Sequence, residues 1–333
     1  MAQDNKLALA SIRSTLIRQE DTIIFALIER AQFKHNDVCY STKATQFAQI
    51  TAKHASFLDT MLLETERLHA RVRRYTGPDE HAFFPDKLPP PELPLIDFPP
   101  TLHPCSVNLN AQIKDLYIHK VMPAICEPGD DGQHGSTAVA DISVLQAISK
   151  RVHYGMFVAE SKMRSQFDEF SRLIRAGDQQ AIVDLLTYKA VEERVLRRVR
   201  RKACTFGRDV EADENPAVDD SPMKVDPEAS VRLSADFTIP LTKEAELQYL
   251  LQRLGNTSVA FEADPARALS ELAQQHVGAA ALKYKAKAAP LLRCKSAADV
   301  IEAVMSNRAF VGMVLLEQGV SGVVPSPRAL LLD

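Results

Sequence analysis

Residues 136–176 read STAVADISVLQAISKRVHYGMFVAESKMRSQFDEFSRLIRA, and this stretch decides the fold class. It contains no proline, and Gly177, a residue type that commonly follows a helix end, comes directly after it. Ser136 or Thr137 suits its N-terminal cap. The stretch therefore predicts one long helix.

The rest of the first 254 residues has the same texture. Long segments rich in Leu, Ala, Glu, Arg and Lys predict helices at residues 7–32, 41–75, 111–122, 180–187, 188–206 and 240–254. In the second of these, apolar side chains at helical spacing should face inward, namely Phe47, Ile50, Phe57, Met61, Leu62 and Leu68. No strand alternation occurs, so residues 1–254 are predicted to form an all-α domain.

Two segments interrupt the helices. Eight of the 19 prolines lie in residues 85–104, which predicts an extended connector. Residues 209–220 hold six acidic residues and no basic one, which predicts a solvated loop. The proline at position 123 should end the third helix.

The texture changes after Gly255. Short apolar runs alternate with helical segments up to residue 316, which predicts a βαβαβ unit. We therefore expect a domain boundary near Gly255 and a small α/β segment over residues 255–333.

Composition excludes several functions. The 40 Lys+Arg nearly balance the 43 Asp+Glu, whereas a dedicated nucleic-acid binder needs a basic surplus. No apolar run reaches 18 residues, so no membrane span is predicted. The N-terminal residues resemble neither a secretory signal nor a transit peptide, which predicts a cytoplasmic location.

Cysteine and histidine spacing argues against structural or catalytic metals. The five cysteines are scattered without a CxxC pair, and the nine histidines form no HExxH motif. We expect reduced thiols, no disulfide framework and no metal.

The long stretch carries two cations in register. Arg151 and Lys162 are 11 residues apart, so on one helix both point the same way, about 16 Å apart. Tyr154, Gly155 and Val158 lie between them on that side. The cations either reach into an interior pocket or snorkel at the edge of the core.

Other polar residues stand at helical spacing. Thr242 and Glu246 share one face of the last predicted helix, and Lys243 could form an ordinary ion pair with Glu246. Glu192 has an acidic neighbour, so one of the two should face inward. Arg13 lies at the buried edge of the first helix.

Nine short motifs run in order along residues 7–254: Ile12-Arg13, Arg18-Gln19-Glu20-Asp21-Thr22-Ile23-Ile24-Phe25, Arg73-Arg74-Tyr75, Pro78-Asp79-Glu80, Phe83-Phe84-Pro85-Asp86-Lys87, Arg151-Val152-His153-Tyr154-Gly155, Phe157-Val158-Ala159-Glu160-Ser161-Lys162, Ala190-Val191-Glu192-Glu193 and Ile239-Pro240-Leu241-Thr242-Lys243-Glu244-Ala245-Glu246. With the gaps between them, they resemble the eukaryotic (yeast- and plant-type) chorismate mutases.

The resemblance implies an all-helical homodimer that converts chorismate to prephenate on the route to Phe and Tyr. The reaction is an intramolecular Claisen rearrangement that needs no cofactor. By motif position, Arg13 and Arg151 would grip the substrate carboxylates, Lys162 and Glu246 would bond the ether oxygen, Glu192 would hold the ring hydroxyl side, and Thr242 and Lys243 would line the site. Tyr188 stands where yeast-type members have an amide, so its substrate contact would differ.

The resemblance also implies regulation by Trp or Tyr at the dimer interface. The corresponding residues are Arg73 and Arg74 in one element and Gly135 and Ser136 in the other. Free N–H groups at a helix start suit a carboxylate. One turn after Ser136, Val139 stands where the family has a threonine. Asp226 stands where the family has another threonine, in the regulatory loop. The alternative is a capped helix and structural ion pairs.

Residues 255–333 resemble, more weakly, the first lobe of prephenate dehydratase. The glycine-rich stretch of that lobe is replaced here by Glu262-Ala263-Asp264-Pro265-Ala266, and no second lobe follows. We expect a lobe without dehydratase activity. Two alternatives to a mutase remain: a non-catalytic regulator of the same fold that binds aromatic amino acids, and a fragment of a bifunctional mutase–dehydratase.

Overall fold

A computed structural model describes residues 9–51, 55–98, 100–208 and 223–254. The predicted α/β segment at 255–333 and the acidic loop at 209–220 lie outside the described residues. Every regular element within the described ranges is an α-helix, a 3₁₀ turn or a π-helical turn, and no strand occurs there. The all-α prediction for this part of the chain is confirmed.

Eleven α-helices are assigned within the described ranges: α1 Leu9–Ala31, α2 Phe57–Arg71, α3 Asn110–Leu116, α4 Met122–Ile125, α5 His134–His153, α6 Gly155–Ser165, α7 Phe167–Ala176, α8 Gln179–Leu186, α9 Lys189–Phe206, α10 Pro227–Arg232 and α11 Ile239–Arg253. Helix α10 and the π-helical turn Leu233–Thr238 that joins it to α11 were not predicted from the sequence.

The predicted helix over residues 41–75 is wrong in its first half. Helix α2 begins only at Phe57, because Ser56 and Asp59 form a capping box that satisfies the free N–H groups of its first turn. Thr45–Phe47 is a 3₁₀ turn instead. Ile50 and Leu68, predicted to be inward, are 61% and 59% exposed.

The predicted helix over residues 136–176 is divided into three. Helix α5 ends at His153, α6 begins at Gly155, and α7 begins at Phe167 after Gln166, whose φ of −136° is not helical. The predicted cap is also wrong, since the N-cap is Gln133 and Thr137 is a buried acceptor for Asn36. The end before Gly177 is confirmed, and this glycine adopts a φ of 68°.

The proline at position 123 does not end the third helix. After α3, the π-helical turn Tyr117–Val121 continues directly into α4, and Pro123 lies in the first turn of α4. Pro123 therefore lies within a continuous helical run, and the widened π-helical turn ends just before the residue that lacks an N–H.

Helix α5 is at the centre of the packing. It contacts α1, α2, α3, α6 and α11, while α11 also packs on α6 and α1 on α9. The shared core includes side chains that are fully buried, among them Leu27, Leu62, Leu145, Val152 and Leu250. Burial of each such side chain stabilises the fold by about 1.5–3 kcal/mol.

A buried ion pair fixes α1 against α5. Arg30 Nε donates to Asp141 Oδ1 at 2.5 Å, and both side chains are fully buried. Tyr40 and Tyr117 donate to the same carboxylate at 2.9 and 2.6 Å. Because the charges are paired and hydrogen-bonded, the pair holds the two helices in one register. Helices α1, α5, α6, α9 and α11 carry the cluster of polar side chains of the candidate active site, namely Arg13, Arg151, Lys162, Glu192 and Glu246.

Candidate active site

Arg151 lies near the C-terminal end of α5 and its side chain is buried. Its Nη1 donates to Thr242 Oγ1 on α11 at 3.3 Å. Burial lowers the pKa of Arg151, whereas the carboxylates of Glu20 and Glu246 act to raise it. A guanidinium carries five N–H donors in a planar fork, so this side chain can still bind an anion by donating two parallel hydrogen bonds.

Lys162 extends from α6 toward the start of α9. Its Nζ donates to the carbonyl oxygen of Leu186 and lies 4.9 Å from the ring centroid of Tyr188. Burial lowers the pKa of Lys162, and the carboxylates of Glu246 and Glu192 oppose that effect. The ammonium is therefore held in place by a carbonyl and an aromatic face, while Tyr188 remains 54% exposed.

Glu246 is the buried acid of the cluster. Only 7% of the residue is exposed, and burial raises the pKa of Glu246 to about 7. The positive charges of Lys162, Arg151 and Lys243 limit the rise, and Glu192 adds to it. Near neutral pH this carboxyl is therefore protonated in a large share of molecules and can donate a hydrogen bond.

Lys243 does not pair with Glu246 in the way that an i,i+3 helical pair would. Its Nζ lies 2.7 Å from Oε1 of Glu192 on α9, and each side chain is 28% exposed. Thr242 donates to the carbonyl oxygen of Thr238 at 2.6 Å and accepts from Arg151. The ordinary ion pair within α11 is therefore excluded.

The prediction that Arg13 lies at the buried edge of the first helix is wrong, because Arg13 is exposed on α1 although its neighbour Ile12 is fully buried. Its positive charge is one of those that lower the pKa of Lys162, so the two cations lie within range of each other. The seven predicted catalytic residues thus gather around one region, with Arg151 and Lys162 both reaching it despite the break at Tyr154. They comprise four cations and two carboxylates, one of them largely protonated, which suits an anionic ligand.

Glu20 is a member of the cluster that sequence analysis did not assign. It is buried on α1 and accepts from Arg198 Nε at 2.8 Å and Nη2 at 2.6 Å, with Lys202 Nζ at 3.3 Å. The carboxylate of Glu20 also acts to raise the pKa of Arg151. The sequence signal for this role was its position four residues before Ile24, on the apolar face of α1. An acid on such a face needs a partner of opposite charge.

The predicted effector residues lie in two places. Arg74 pairs with Glu80 at 2.8 Å and donates to Gln146 on α5 at 3.0 Å, whereas Arg73, at φ 62°, donates to the carbonyl oxygen of Pro94. Gly135 and Ser136 are exposed in the first turn of α5. Gln146, which Arg74 contacts, is 11 residues from Gly135, or about 16 Å along the helix. Within one chain, Arg74 therefore lies far from Gly135 and Ser136.

Two absences apply to the residues that the structure describes. No His, Cys, Asp or Glu side chains there form a group of three or more that could hold a metal ion. None of the helices there has the length and apolar character needed to cross a membrane.

No protein-family model matches the chain. A curated relative, chorismate mutase 1, chloroplastic, from Petunia hybrida, is 46% identical over 248 residues, which are 74% of this chain and 76% of the relative. The crystal structure of Aro7p chorismate mutase from Candida albicans in complex with L-Trp superposes with a TM-score of 0.69 at 38% identity, over 76% of this chain and 94% of that one.

A second solved structure, AtCM1 with tyrosine bound in an allosteric site, superposes with a TM-score of 0.67 at 41% identity and covers 75% of this chain and 97% of that one. The plant relative and the fungal structure each match about three quarters of the chain, at identities well above those at which only a fold is shared. The cluster of cations around a buried acid lies within a fold of the same type. The chain belongs to the eukaryotic chorismate mutase family.

Proposed function

We propose that this chain catalyses the rearrangement of chorismate to prephenate without a cofactor. The single observation that carries the proposal is Glu246, a buried acid with a pKa near 7 that is surrounded by Arg151, Lys162 and Lys243. An acid kept protonated among cations suits a substrate that is a dianion and that develops negative charge at one oxygen.

Each residue has a role that follows from its chemistry. Arg13 and Arg151 bind the two carboxylates, since a guanidinium matches a carboxylate with two parallel hydrogen bonds. Lys162 and protonated Glu246 donate to the ether oxygen, Glu192 accepts from the ring hydroxyl, and Thr242, Lys243 and Tyr188 line the site.

Catalysis then rests on two physical effects. Clamping both carboxylates selects the compact conformer in which the reacting carbons meet, so positioning supplies part of the acceleration. The C–O bond breaks ahead of C–C bond formation, so negative charge grows on the ether oxygen. Donors at that oxygen therefore stabilise the transition state more than the ground state.

The test is the loss of chorismate absorbance with purified protein at acid and neutral pH. Turnover that Arg151→Ala abolishes supports the proposal. A folded protein that gives no turnover at either pH contradicts it and leaves the alternative of a regulator that binds aromatic amino acids. Arg71→Ala is the matched control, because Arg71 pairs with Glu92 at the surface, outside the cluster.

We also propose a homodimer that binds Trp or Tyr. Three large apolar residues are about half exposed or more: Leu68 on α2, Val72 just after α2, and Val139 on α5. Such exposure is expected of a surface that a second copy covers. The distance between Arg74 and Gly135 within one chain supports an effector site completed by the partner. Light scattering should give a dimer, and Leu68→Glu should give monomers.

Effector binding has its own test. Titration calorimetry with Trp and with Tyr should detect binding that Arg74→Gln and Ser136→Pro abolish and that Arg71→Gln leaves intact. Binding that survives both substitutions contradicts the predicted site. Turnover measured with each amino acid then gives the direction of the response.

We propose further that residues 255–333 form a small α/β lobe without dehydratase activity, and that the protein is cytoplasmic. The support for the first statement is the strand–helix alternation of the sequence and the replacement of the glycine-rich stretch of the dehydratase lobe by residues 262–266. Release of phenylpyruvate from prephenate by the full chain would contradict the first statement. Cell fractionation tests the second, which matters because the Petunia relative is named chloroplastic.

A further inference from the structure

Helices α6 and α11 lie close together at Gly155, the first residue of α6. A Cβ atom at this position would lie 2.6 Å from Cγ2 of Thr242, 3.1 Å from the carbonyl oxygen of Thr242 and 3.2 Å from Cγ of Glu246. Side-chain carbons do not come as close as 2.6 Å, and the backbone carbonyl can yield only if α11 moves. The approach therefore requires glycine.

The two residues that Gly155 contacts both belong to the proposed active site. Thr242 holds Arg151 by a hydrogen bond, and Glu246 is the buried acid. Glycine costs helix stability relative to alanine, by roughly 0.5–1 kcal/mol, so its presence in the first turn of α6 is not explained by helix formation.

A second contact fixes α11 on α6 farther along both helices. Glu160 is fully buried, and it accepts from Tyr249 Oη at 2.6 Å and from Arg253 Nε at 2.8 Å. Arg164 Nε donates to the same carboxylate at 2.7 Å. Because these bonds anchor the C-terminal half of α11, a side chain at Gly155 would tilt the other half, which carries Thr242 and Glu246, away from the site.

We propose that Gly155 is a positioning residue for the mutase reaction, whose missing side chain lets α11 hold Thr242 and Glu246 against Arg151 and Lys162. The inference rests on the proposed function and adds a residue to it that touches no substrate. Its consequence is a defined depth of burial for Glu246.

That depth determines how Glu246 titrates. Four charged groups face its carboxyl: Lys162 from α6, Arg151 from α5, Glu192 from α9 and Lys243 from α11 itself. Burial is the dominant influence and keeps the pKa of Glu246 near 7. Displacement of α11 admits water, which weakens this influence, so the carboxyl should then ionise at lower pH.

A double-mutant cycle tests the contact. Gly155→Ala should lower kcat/KM by about a hundredfold, the scale expected of a displacement near 1 Å. Thr242→Ser removes the Cγ2 atom that the new Cβ would strike and keeps the hydroxyl that Arg151 needs. In the Thr242→Ser background, Gly155→Ala should therefore cost less than about tenfold. Equal costs of Gly155→Ala in both backgrounds would overturn the inference.

The cycle remains decisive if Gly155→Ala does not fold. The double variant must then fold, as judged by thermal unfolding, because the worst contact is gone. Failure of both variants to fold would overturn the role of the Thr242 contact. A folded Gly155→Ala protein with unchanged kcat/KM would overturn the inference as well.

A readout that is independent of turnover separates this inference from the proposed function. The ¹³C carboxyl resonance of Glu246, assigned by its absence in Glu246→Gln, should titrate near pH 7 in the parent protein and at least about one pH unit lower in Gly155→Ala. A parent that titrates in this way without turning over chorismate would contradict the proposed function and leave the positioning intact. Identical titrations in an active parent and an active variant would contradict the positioning alone.

Discussion

Lys243 Nζ lies 2.7 Å from Glu192 Oε1, and this ion pair joins α11 to α9 beside the buried carboxyl of Glu246. Both charges influence the pKa of Glu246, in opposite directions. The pair is partly exposed, so its contribution to the free energy of unfolding should be about 1 kcal/mol or less. Its importance should therefore lie in the chemistry of the site.

The first prediction follows from this pair. Lys243→Met should lower kcat/KM for chorismate by at least about tenfold, because it removes a cation from a site for a dianion. It should change the melting temperature by only a few degrees. Arg71→Met, which breaks the surface pair of Arg71 with Glu92, is the matched control and should change neither quantity. A large fall in melting temperature with unchanged kcat/KM would contradict the prediction.

The second prediction concerns pH. A raised pKa of about 7 means that Glu246 is mostly protonated below pH 7 and ionised above it, so the donor is lost as pH rises. The parent rate should fall through that range. Glu246→Gln, which always carries a donor, should flatten the profile and retain activity near neutral pH. If Glu246→Gln behaves like Glu246→Ala at every pH, the donor role is wrong.

The third prediction separates activity from stability. Arg151 is buried with a single described hydrogen bond, to Thr242, and burial disfavours its charge. Arg151→Met should lower kcat/KM by at least about a thousandfold, the scale of lost transition-state contacts. It should leave the melting temperature unchanged or raise it, because an apolar side chain removes the desolvation cost. Equal losses of activity and stability would argue that Arg151 is structural.

The fourth prediction concerns the fully buried pair of Arg30 and Asp141. Asp141→Asn leaves a buried guanidinium without its counter-charge, so the free energy of unfolding should fall by about 3–5 kcal/mol in chemical denaturation. The pH dependence of turnover by the folded fraction should not change, because neither residue is among the groups that influence the pKa of Glu246. A shift of the pH profile would show that α5 had moved in the active site.

Much of the fold was readable from local sequence because helix starts and ends depend on nearby residues. Gly177 ends α7 as predicted, since glycine accepts a φ of 68° without strain. The breaks at Tyr154 and Gln166 were not readable. The helical pattern continues through both positions, Tyr154 itself keeps helical backbone angles, and no proline marks either break.

The candidate site shows the same limit. The face shared by Thr242 and Glu246 was visible from spacing alone, whereas the pairing of Lys243 with Glu192 joins helices that are distant in sequence. Glu20 went unassigned because its partners lie on α9, far along the chain. Long-range partners decide which polar residues act together, and spacing within one helix does not report them.

The span of the site along the chain has a consequence during synthesis. Arg13 belongs to α1 and Glu246 to α11, so the helices that bear the arginines leave the ribosome well before the acid does. At typical translation speeds, about 10 to 50 seconds separate the two ends. In the later part of that interval, after α6 has been made and before α11 follows, the nascent chain exposes the apolar surfaces of α5 and α6 that α11 later covers. Chaperone capture should therefore concentrate on nascent chains that have not yet made α11, and a newborn chain acquires its active site in one of its last folding steps.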